Sequence, residues 1–350
     1  MMSSPAVKTD CEQPSMCPFP HRHAVKMRAG GDDMKKFLFQ LICSILLGFF
    51  LPWVVLAMHR DIPDTMVAWD TEPQPLPQTV PTVIPVVFDG EIVQMPLEDY
   101  LIGVVLREMP VEFEEEAQKA QAVVARTYAL RTCEKGSKHD GLGGVCTDSS
   151  CCQAYRDPQD YLSSGGSRDA LDKVTQAVQE TEGMVLIYEG KLIDATYFSC
   201  SGGMTEDAAA VWGTDIPYLQ ATESPGEEGA SHYTDTVTFS AKDFLDSLGV
   251  SIKGSPSGWL GQVRYTTGGG VDTMEIGGVV YHGTTLRKRL NLRSTAFTMT
   301  AVGDTIIVTT KGYGHRVGMS QYGAEAMAVS GSSYEEILAH YYQGTTLQKN

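Results

Sequence analysis

The apolar side chains between residues 97 and 108 recur at the spacing of one face of an α-helix. They stand at positions i, i+4, i+7 and i+8 of this stretch and are Leu97, Leu101, Val104 and Val105. The next position on the same face is Glu108. Pro110 ends the helix just beyond it, because proline has no N–H group and pushes the preceding residue out of the helical region. The pattern therefore predicts a buried helix that carries a carboxylate on its apolar face, in its last turn.

A carboxylate on a buried face is rare unless it has a partner or a function. The negative end of the helix dipole and the apolar neighbours of Glu108 disfavour the charged form, so we expect its pKa to be raised. A carboxyl group that keeps its proton near neutral pH is what a general acid requires. The alternative is a structural ion pair with a basic residue such as Arg126, which lies on the next predicted helix.

The same periodicities predict an α+β fold for the chain from about residue 86 to the end. Apolar residues at helical spacing predict four further helices, at 112–133, 168–182, 240–248 and 284–290. Alternating residues around Asp-Gly and Glu-Gly turns predict two hairpins, at 86–93 and 184–198. Short strands and glycine-rich turns dominate 223–311, which we interpret as a β-rich subdomain within a domain that spans 86–350.

Residues 37–58 form an almost wholly apolar run that, at about 20 residues, is long enough to cross a bilayer, and we predict a membrane anchor at 35–58. Lys and Arg precede this run, so the positive-inside rule predicts a single-pass membrane protein with a cytoplasmic, disordered tail at 1–34 and an exported C-terminal domain. Recurring prolines predict an extended spacer at 59–85. A cleaved signal peptide is the alternative, but the run is longer than a usual signal core and no Ala-x-Ala site follows it.

Composition narrows the range of partners. The chain of 350 residues contains 42% hydrophobic residues, which suffices for a core, and carries a formal net charge of −16. A nucleic-acid partner requires Lys and Arg concentrated on one face. The acidic balance therefore argues against nucleic acid.

The irregular loop between Cys133 and Asp157 contains four potential ligands of a soft metal ion. They are His139, Cys146, Cys151 and Cys152. A long loop without regular structure needs something to hold it, and these ligands predict a structural zinc ion. Exported cysteines can instead form disulfides, but with Cys200 the exported part has an odd number, so they cannot all pair within one chain. We favour zinc, in a structural role, because four protein ligands leave no position for a substrate.

Two glycine-rich segments follow predicted elements. Ser199-Cys200-Ser201-Gly202-Gly203 comes after the second hairpin, where glycines permit a ligand to approach the backbone. The segment 312–324 opens a helix with Ser320 as its predicted N-cap. His315 in this segment can bind a sugar or an anion, orient the acid or bond a backbone carbonyl. From these residues alone, a structural role is favoured for both segments.

Three stretches together resemble the exported domain of the stage II sporulation protein D family. The first runs from Tyr100 to Tyr128 and contains Arg107-Glu108-Met109-Pro110 and Ala125-Arg126-Thr127-Tyr128. The second begins with Phe198-Ser199-Cys200-Ser201-Gly202-Gly203 and continues through Val211-Trp212-Gly213. The third is Gly314-His315 to Ala324. The motifs occur in family order, and the resemblance covers nearly everything from about residue 86 to the end.

The resemblance implies a lytic transglycosylase that cleaves the MurNAc–GlcNAc linkage of peptidoglycan glycan strands and leaves 1,6-anhydro ends. It implies action at the sporulation septum during engulfment, together with sporulation proteins P and M, on strands that P has stripped of stem peptides. The family's catalytic glutamate falls on Glu108, the residue that helical spacing singles out. No cofactor is implied for catalysis.

The matched motifs also supply expected substrate-binding residues, in addition to the catalytic acid. They are Arg126, Ser199, Ser201, His315, Ser320, Gln321 and Tyr322. The chain departs from the family pattern at three places. Many members have Gly at the position of Arg316, so we expect no positive φ there. Members with a zinc loop commonly have His then Cys where this chain has Cys151-Cys152, which still leaves four ligands. Cys200 replaces a small uncharged residue, and we expect a free thiol.

Three other functions compete with this hypothesis. Related domains are non-enzymatic modifiers that stimulate a cell-wall amidase. A hydrolase would pair Glu108 with a second carboxylate, such as Asp99 or Glu112, to activate water. A metal-dependent hydrolase would be centred on His139 and Cys146.

Overall fold

The computed structural model describes residues 83–136, 139 and 143–349. The predicted tail at 1–34, the predicted membrane anchor at 35–58 and the spacer up to residue 82 lie outside the described residues. The last three residues of the predicted spacer, 83–85, belong to a strand, so the spacer was predicted too long at its end. Within the described ranges, no helix combines the length and the apolar character needed to cross a bilayer.

Nine α-helices are found in the described part of the chain. They are α1 (Leu97–Glu108), α2 (Glu115–Lys135), α3 (Pro158–Ser163), α4 (Arg168–Glu180), α5 (Ala208–Trp212), α6 (Ala241–Leu248), α7 (Gly283–Arg289), α8 (Gln321–Val329) and α9 (Tyr334–Tyr341). The first helix begins and ends where its pattern places it: Met109 is extended, with φ −120° and ψ 138°, as expected before proline. Ser320 caps α8, because its side-chain oxygen accepts a hydrogen bond from the Gly323 N–H.

The strands form five small sheets. They are β1 (Val83–Phe88), β2 (Glu91–Pro96), β3 (Val145–Cys146), β4 (Met184–Tyr188), β5 (Lys191–Leu192), β6 (Tyr197–Phe198), β7 (Thr234–Ser240), β8 (Leu260–Tyr265), β9 (Val271–Ile276), β10 (Val279–His282), β11 (Phe297–Val302), β12 (Thr305–Lys311), β13 (Met319–Ser320) and β14 (Thr346–Lys349). Their orders are β2-β1-β3, β14-β4-β5, β13-β6, β10-β9-β8 and β11-β12-β7.

The two predicted hairpins have different outcomes. The Asp89-Gly90 turn joins β1 and β2, and both turn residues have the positive φ that such a turn requires. The prediction of a second hairpin over 184–198 is wrong in its second half. The antiparallel partner of β4 ends at Leu192, and β6 pairs instead with β13 in parallel. This parallel pair brings the two glycine-rich segments together, although more than a hundred residues separate them.

Three hydrophobic clusters form the core. One packs α1 and α4 against one side of α2, and a second packs α8 and α9 against the other side. Many of the buried side chains of α2 are alanines. Because these side chains are small, other helices can pack closely against both sides of α2. The third cluster contains only residues between Phe239 and Val308, from α6, α7 and the surrounding strands. The region predicted as β-rich thus has its own core and sits beside the segments that carry the candidate site.

Candidate functional site

Glu108 is held at the end of α1 by the segment that follows the cysteine-rich loop. Tyr155 packs onto Gly103, where a Cβ atom would lie only 2.1 Å from the tyrosine ring. The Arg156 N–H also donates to the Gly103 carbonyl, at 3.0 Å. These contacts lay the segment along α1, and the Ala154 N–H donates to Oε1 of Glu108 at 2.6 Å. The absence of a side chain at Gly103 therefore helps to position the acid.

Tyr197 supplies a second hydrogen bond to Glu108. Gln153 Nε2 donates to the Tyr197 hydroxyl at 3.1 Å, which leaves the hydroxyl proton free to be donated to the Glu108 carboxylate. Burial and the nearby charge of Glu108 raise the pKa of Tyr197 well above its usual value, so the phenol keeps its proton. Gln153 and Tyr197 thus form a directed hydrogen-bond chain that ends at the Glu108 carboxylate, which accepts.

Burial raises the pKa of Glu108 above its ordinary value of 4.5. The Ala154 N–H, the Tyr197 hydroxyl and the charge of Arg107 act in the opposite direction and lower it, but burial is the largest effect. The pKa shift expected from the sequence is therefore found, with desolvation as its main cause. The Ala154 N–H and the Tyr197 hydroxyl stabilise the carboxylate form, whereas burial stabilises the protonated form. The surroundings of Glu108 therefore stabilise both of its protonation states.

Glu108 lines a cavity of about 530 Å³. The other lining residues are Tyr128, Ser149, Cys152, Thr196, Tyr197, Phe198, Ser199, His232, Tyr313, Gly314, His315 and Gln321. Glu108 is the only carboxylate among them. Asp99 and Glu112, the partners considered for a hydrolase, are exposed and do not line the cavity. The volume lies within the range of small-molecule sites, and the wall is both aromatic and polar.

Arg126 does not take the place predicted for it. Its guanidinium is fully buried and pairs with Glu98, with Nη2 at 2.6 Å from Oε2 and Nε at 2.9 Å from Oε1. It also donates to the carbonyls of Val178 and Met184, both at 3.2 Å. Arg126 therefore neither binds a ligand in the cavity nor forms an ion pair with Glu108. It ties α1, α2 and the end of α4 together.

Of the remaining predicted binding residues, Ser199, His315 and Gln321 line the cavity, whereas three others do not. Ser201 is fully buried, and its hydroxyl donates to Glu227 at 2.8 Å. Ser320 is fully buried as the cap of α8. Tyr322 packs edge-on against Phe113, with ring centroids 5.0 Å apart. The predictions for Ser201 and Ser320 are wrong because their buried side chains hold the loop and the helix cap, whereas Tyr322 is half-buried outside the cavity wall and its role in binding stays a prediction.

His315 presents a neutral ring to the cavity. Its Nδ1 accepts a hydrogen bond from the Val317 N–H at 3.1 Å, and it also bonds the Tyr197 backbone. Burial, assisted by the charge of Arg287, lowers the pKa of His315 to about 4. The ring lies between Phe198 and Trp212, at centroid distances of 5.6 and 5.4 Å. His315 therefore contributes a flat uncharged surface to the cavity.

Glu227 organises the Ser-Cys-Ser-Gly-Gly segment, and sequence reasoning missed it. Its Oε2 accepts hydrogen bonds from the N–H groups of Ser201 and Gly202 at 2.8 and 2.9 Å. The Cys200 thiol donates to the same oxygen at 3.2 Å. Burial, reinforced by Glu227, raises the pKa of Cys200 to about 12, so this thiol stays protonated and unreactive. Ser199 is held in the cavity wall by this buried anchor.

Arg316 contradicts the expectation of an ordinary backbone conformation. Its φ is +67°, in the left-handed region that most residues avoid. The side chain is buried, and it donates to the carbonyls of Ser201 at 2.8 Å, Met204 at 2.7 Å and Gly268 at 2.6 Å. These three bonds hold the backbone in a conformation that glycine would adopt at less cost.

The four predicted metal ligands lie together. One ligand atom each from His139, Cys146, Cys151 and Cys152 falls within a group whose members are all within 4.8 Å of one another. The sulfurs of Cys151 and Cys152 are 3.9 Å apart, close to the roughly 3.8 Å edge of a tetrahedron with zinc–sulfur bonds of about 2.3 Å. The donor set therefore fits a tetrahedral soft metal. None of the five described cysteines is in a disulfide in this structure.

Sequence reasoning missed most of the cavity's aromatic wall. Tyr197 precedes the Ser-Gly-Gly motif, Tyr313 precedes the Gly-His motif, and His232 lies in a loop that shows no pattern. The first two could have been found from their position beside motif residues. His232 could not, because nothing in its local sequence indicates that the fold brings it to the cavity.

Replacing Tyr197 by Phe tests the donor chain to Glu108. Because the Tyr197 hydrogen bond lowers the pKa of Glu108, its loss should raise that pKa further. An acid that must be protonated would then work up to a higher pH, so the alkaline limb of the pH–rate profile should move upward while the maximum rate falls. Tyr218→Phe is the matched control, since that hydroxyl bonds Asp194 away from the cavity. An unchanged alkaline limb would contradict the assignment.

The site defines a class of protein: an α+β domain in which one half-buried acid lies in an aromatic and polar cavity between two glycine-rich segments. The family model described as stage II sporulation protein matches residues 90–188. The chain is 41% identical to stage II sporulation protein D of Bacillus amyloliquefaciens over 282 residues, which are 79% of this chain and 81% of that protein. The Bacillus subtilis (strain 168) protein of the same name is 40% identical over 275 residues, covering 77% and 80%. The chain belongs to the stage II sporulation protein D family, a family of sporulation proteins, as its motifs indicated.

A more distant relative carries a different name. The amidase enhancer of Bacillus subtilis (strain 168) is 30% identical over 305 residues, which cover 71% of this chain but 40% of that protein. The family relationship therefore includes a protein named for enhancing an amidase.

Proposed function

We propose that this protein is a lytic transglycosylase that cleaves the MurNAc–GlcNAc linkage of peptidoglycan glycan strands during engulfment in sporulation. The observation that carries the proposal is the environment of Glu108. Among the described residues it is the only carboxylate that lines the cavity, and burial raises its pKa. Hydrolases of glycosidic bonds ordinarily place a second carboxylate across the bond, and the part of the chain that the structure describes contributes none to this cavity.

The proposed reaction needs one acid that acts twice. Glu108 gives its proton to the oxygen that links MurNAc C1 to GlcNAc, and the C1–O bond breaks with the electron pair staying on the GlcNAc oxygen. The muramoyl 6-hydroxyl then forms a bond to C1 and returns its proton to Glu108. The donors Ala154 N–H and Tyr197 O–H stabilise Glu108 while it is ionised between the two steps. Atoms and protons balance without any water.

Product analysis tests this proposal directly. The full-length protein is incubated with peptide-free glycan strands, and the fragments are examined by mass spectrometry. We expect fragments with 1,6-anhydro ends, lighter by one water than reducing-end fragments. Reducing-end products would instead identify a hydrolase, and uncut strands would overturn the enzymatic proposal.

A second candidate function is enhancement of a cell-wall amidase, which the printed name of one relative favours. Under that hypothesis the cavity binds glycan without cutting it. The experiment mixes a purified cell-wall amidase with either the wild-type protein or its Glu108→Gln variant. Stimulation of the amidase by both proteins, together with intact glycan strands, would favour the enhancer. Stimulation that requires Glu108 would favour the transglycosylase.

Zinc binding by the His139, Cys146, Cys151 and Cys152 cluster is also proposed, with a structural role. The ion would hold the loop from which Ala154 reaches Glu108, and its removal should release that hydrogen bond. We expect one zinc per chain by elemental analysis. In a cobalt-substituted sample we expect thiolate charge-transfer absorption that is lost in Cys146→Ser. The buried Cys200→Ser variant is the control and should keep the metal. A metal-free native protein with the same thermal stability would contradict the proposal.

Attachment to the membrane through residues 35–58 and cooperation with sporulation proteins P and M at the septum remain predictions from the sequence. Fractionation of sporulating cells, with the full chain compared with one that lacks residues 35–58, would test the attachment. Co-purification from the same membranes would test the partners.

A further inference from the structure

One aromatic side chain of the cavity wall, Tyr313, is exposed and yet anchored. Its ring lines the cavity and is 45% exposed. The Tyr313 N–H donates to the Cys200 carbonyl at 2.7 Å, and the Cys200 N–H donates back to the Tyr313 carbonyl at 3.2 Å. The next N–H along the chain, that of Gly314, donates to the Arg293 carbonyl at 3.0 Å. These backbone bonds fix where the ring stands, while much of its surface stays open.

Two side chains from the β-rich part of the chain support this ring. The His232 ring lies 5.1 Å from the Tyr313 ring, and the Arg293 guanidinium lies 5.7 Å from the Tyr313 centroid. A guanidinium at this distance is attracted to an aromatic ring. An anchored aromatic ring offers a large rigid contact surface that costs little conformational entropy when a ligand binds. The exposed part of Tyr313 therefore suits the apolar face of a sugar ring.

His232 also lines the cavity, and its surroundings fix which ring nitrogen carries the proton. Arg293 Nη1 lies 2.8 Å from Nδ1 of His232, and Arg293 Nε pairs with Asp235 at 3.1 Å. Because a guanidinium only donates hydrogen bonds, Nδ1 of His232 accepts and the ring proton stands on Nε2. The Asp235–Arg293 pair therefore holds His232 as an Nε2–H donor.

This donor is left for a ligand. Among the described residues, Nε2 of His232 has no hydrogen-bond partner. An N–H group that only donates is matched by a group that only accepts. The hydroxyls of a glycan strand both donate and accept, whereas the carbonyl of an acetamido group only accepts. Each GlcNAc and MurNAc unit carries an acetamido group at C2, so the proposed substrate presents the matching acceptor on every sugar.

We infer that His232 and Tyr313 form a subsite for one N-acetylhexosamine unit, in which His232 recognises the acetamido group. The sugar ring stacks on Tyr313, and the Nε2–H of His232 donates to the acetamido carbonyl. Arg293 is a positioning residue, because it acts through the other two. The inference rests on the proposed function, since it takes the glycan as the ligand. It adds which group of the sugar this part of the cavity wall recognises.

Binding of two neutral tetrasaccharides tests the subsite apart from catalysis. Chitotetraose is built from N-acetylglucosamine and cellotetraose from glucose, with the same linkage, so the two differ only in the group at C2. The full chain carrying Glu108→Gln is titrated calorimetrically with each. We expect chitotetraose to bind roughly fivefold more tightly, the ratio that one neutral hydrogen bond contributes. Equal affinity for both probes, or no binding of chitotetraose, would overturn the subsite.

The two wall residues should fail in different ways. Added to that protein, His232→Phe should remove the preference for chitotetraose and leave the cellotetraose affinity within about twofold. Tyr313→Ala should weaken both probes by a similar factor of about five, because both sugars present the same ring face. His282→Phe and Tyr265→Ala are the matched controls, since both side chains are exposed on strands outside the cavity wall. Retention of the preference in His232→Phe, or its loss in a control, would contradict the inference.

The positioning role of Arg293 has a spectroscopic signature. In protein with ¹⁵N-labelled histidine, we expect His232 to carry a proton on Nε2 and none on Nδ1. Arg293→Met should mix the two tautomers and lower the chitotetraose affinity roughly two- to fivefold. Arg293→Lys should keep the tautomer, because an ammonium group also donates to Nδ1. Arg264→Met, at an exposed strand position, is the control. An unchanged tautomer in Arg293→Met would overturn the positioning role.

The two proposals have separate failures. If the wild-type protein cleaves strands but binding ignores the acetamido group, the subsite is wrong and the transglycosylase stands. If binding depends on His232 and the acetamido group but no strand is cut, the transglycosylase is wrong and the subsite stands.

Discussion

Cleavage of glycan strands should fall by about 10³-fold when Glu108 is replaced by Gln, the loss expected when a general acid is removed. Gln preserves the size of the side chain and can still accept the Ala154 N–H at its amide oxygen, so the fold and the cavity should persist. It cannot give up a proton, and the leaving oxygen would then depart as an anion. The rate is measured by release of anhydro-ended fragments, and binding of the strands by cosedimentation with peptidoglycan.

Two matched controls accompany this variant. Asp99→Asn and Glu112→Gln each remove an exposed carboxylate close to Glu108 in sequence but outside the cavity. Both should keep full activity. A hydrolase that uses either residue to activate water would lose activity in that variant and give reducing-end products. Undiminished cleavage by Glu108→Gln would remove the acid from the mechanism altogether.

The position of Glu108 could be predicted from the sequence because the determinants are local. Helical spacing placed it on the buried face, and Pro110 fixed the end of the helix. The neighbours that set its chemistry could not be predicted in the same way. Ala154 and Tyr197 reach it through the packing of Tyr155 on Gly103 and through the parallel pairing of β6 with β13. Both depend on contacts between distant segments, for which a single sequence offers no periodic signal.

The errors at Arg126 and Ser201 have a common physical cause. Both residues lie in motifs that resemble those of the family, and for that reason both were predicted to contact the ligand. A buried guanidinium or hydroxyl also has to be satisfied by hydrogen bonds, and here Glu98 and Glu227 satisfy them inside the protein. Some motif residues maintain the shape of a site, and others contact the ligand. The sequence alone does not separate the two groups, because it does not show where the acidic partners lie.

Replacement of Arg316 by Met should lower the free energy of unfolding by about 3 to 5 kcal/mol, the loss typical of breaking a buried charge pair. Three carbonyls would lose their donor, and the buried Glu206 carboxylate, 3.7 Å from Arg316 Nη1, would lose its nearest positive charge. Urea unfolding measures the change. Arg264→Met, at an exposed strand position with no ion pair among the described residues, should change stability by less than about 0.5 kcal/mol.

A double-mutant cycle identifies which part of this loss comes from the stranded carboxylate. Glu206→Gln removes the charge and keeps one acceptor oxygen, for the Gly268 N–H, while its amide nitrogen would face the Thr266 hydroxyl, which can accept a hydrogen bond. The double variant should therefore be more stable than Arg316→Met alone, because no uncompensated buried charge remains. Equal stability of the two would mean that the carbonyl bonds carry the whole effect. Since Gly268 lies in the β-rich region and Arg316 follows His315 in the cavity wall, either result measures how firmly Arg316 ties that region to the wall of the cavity.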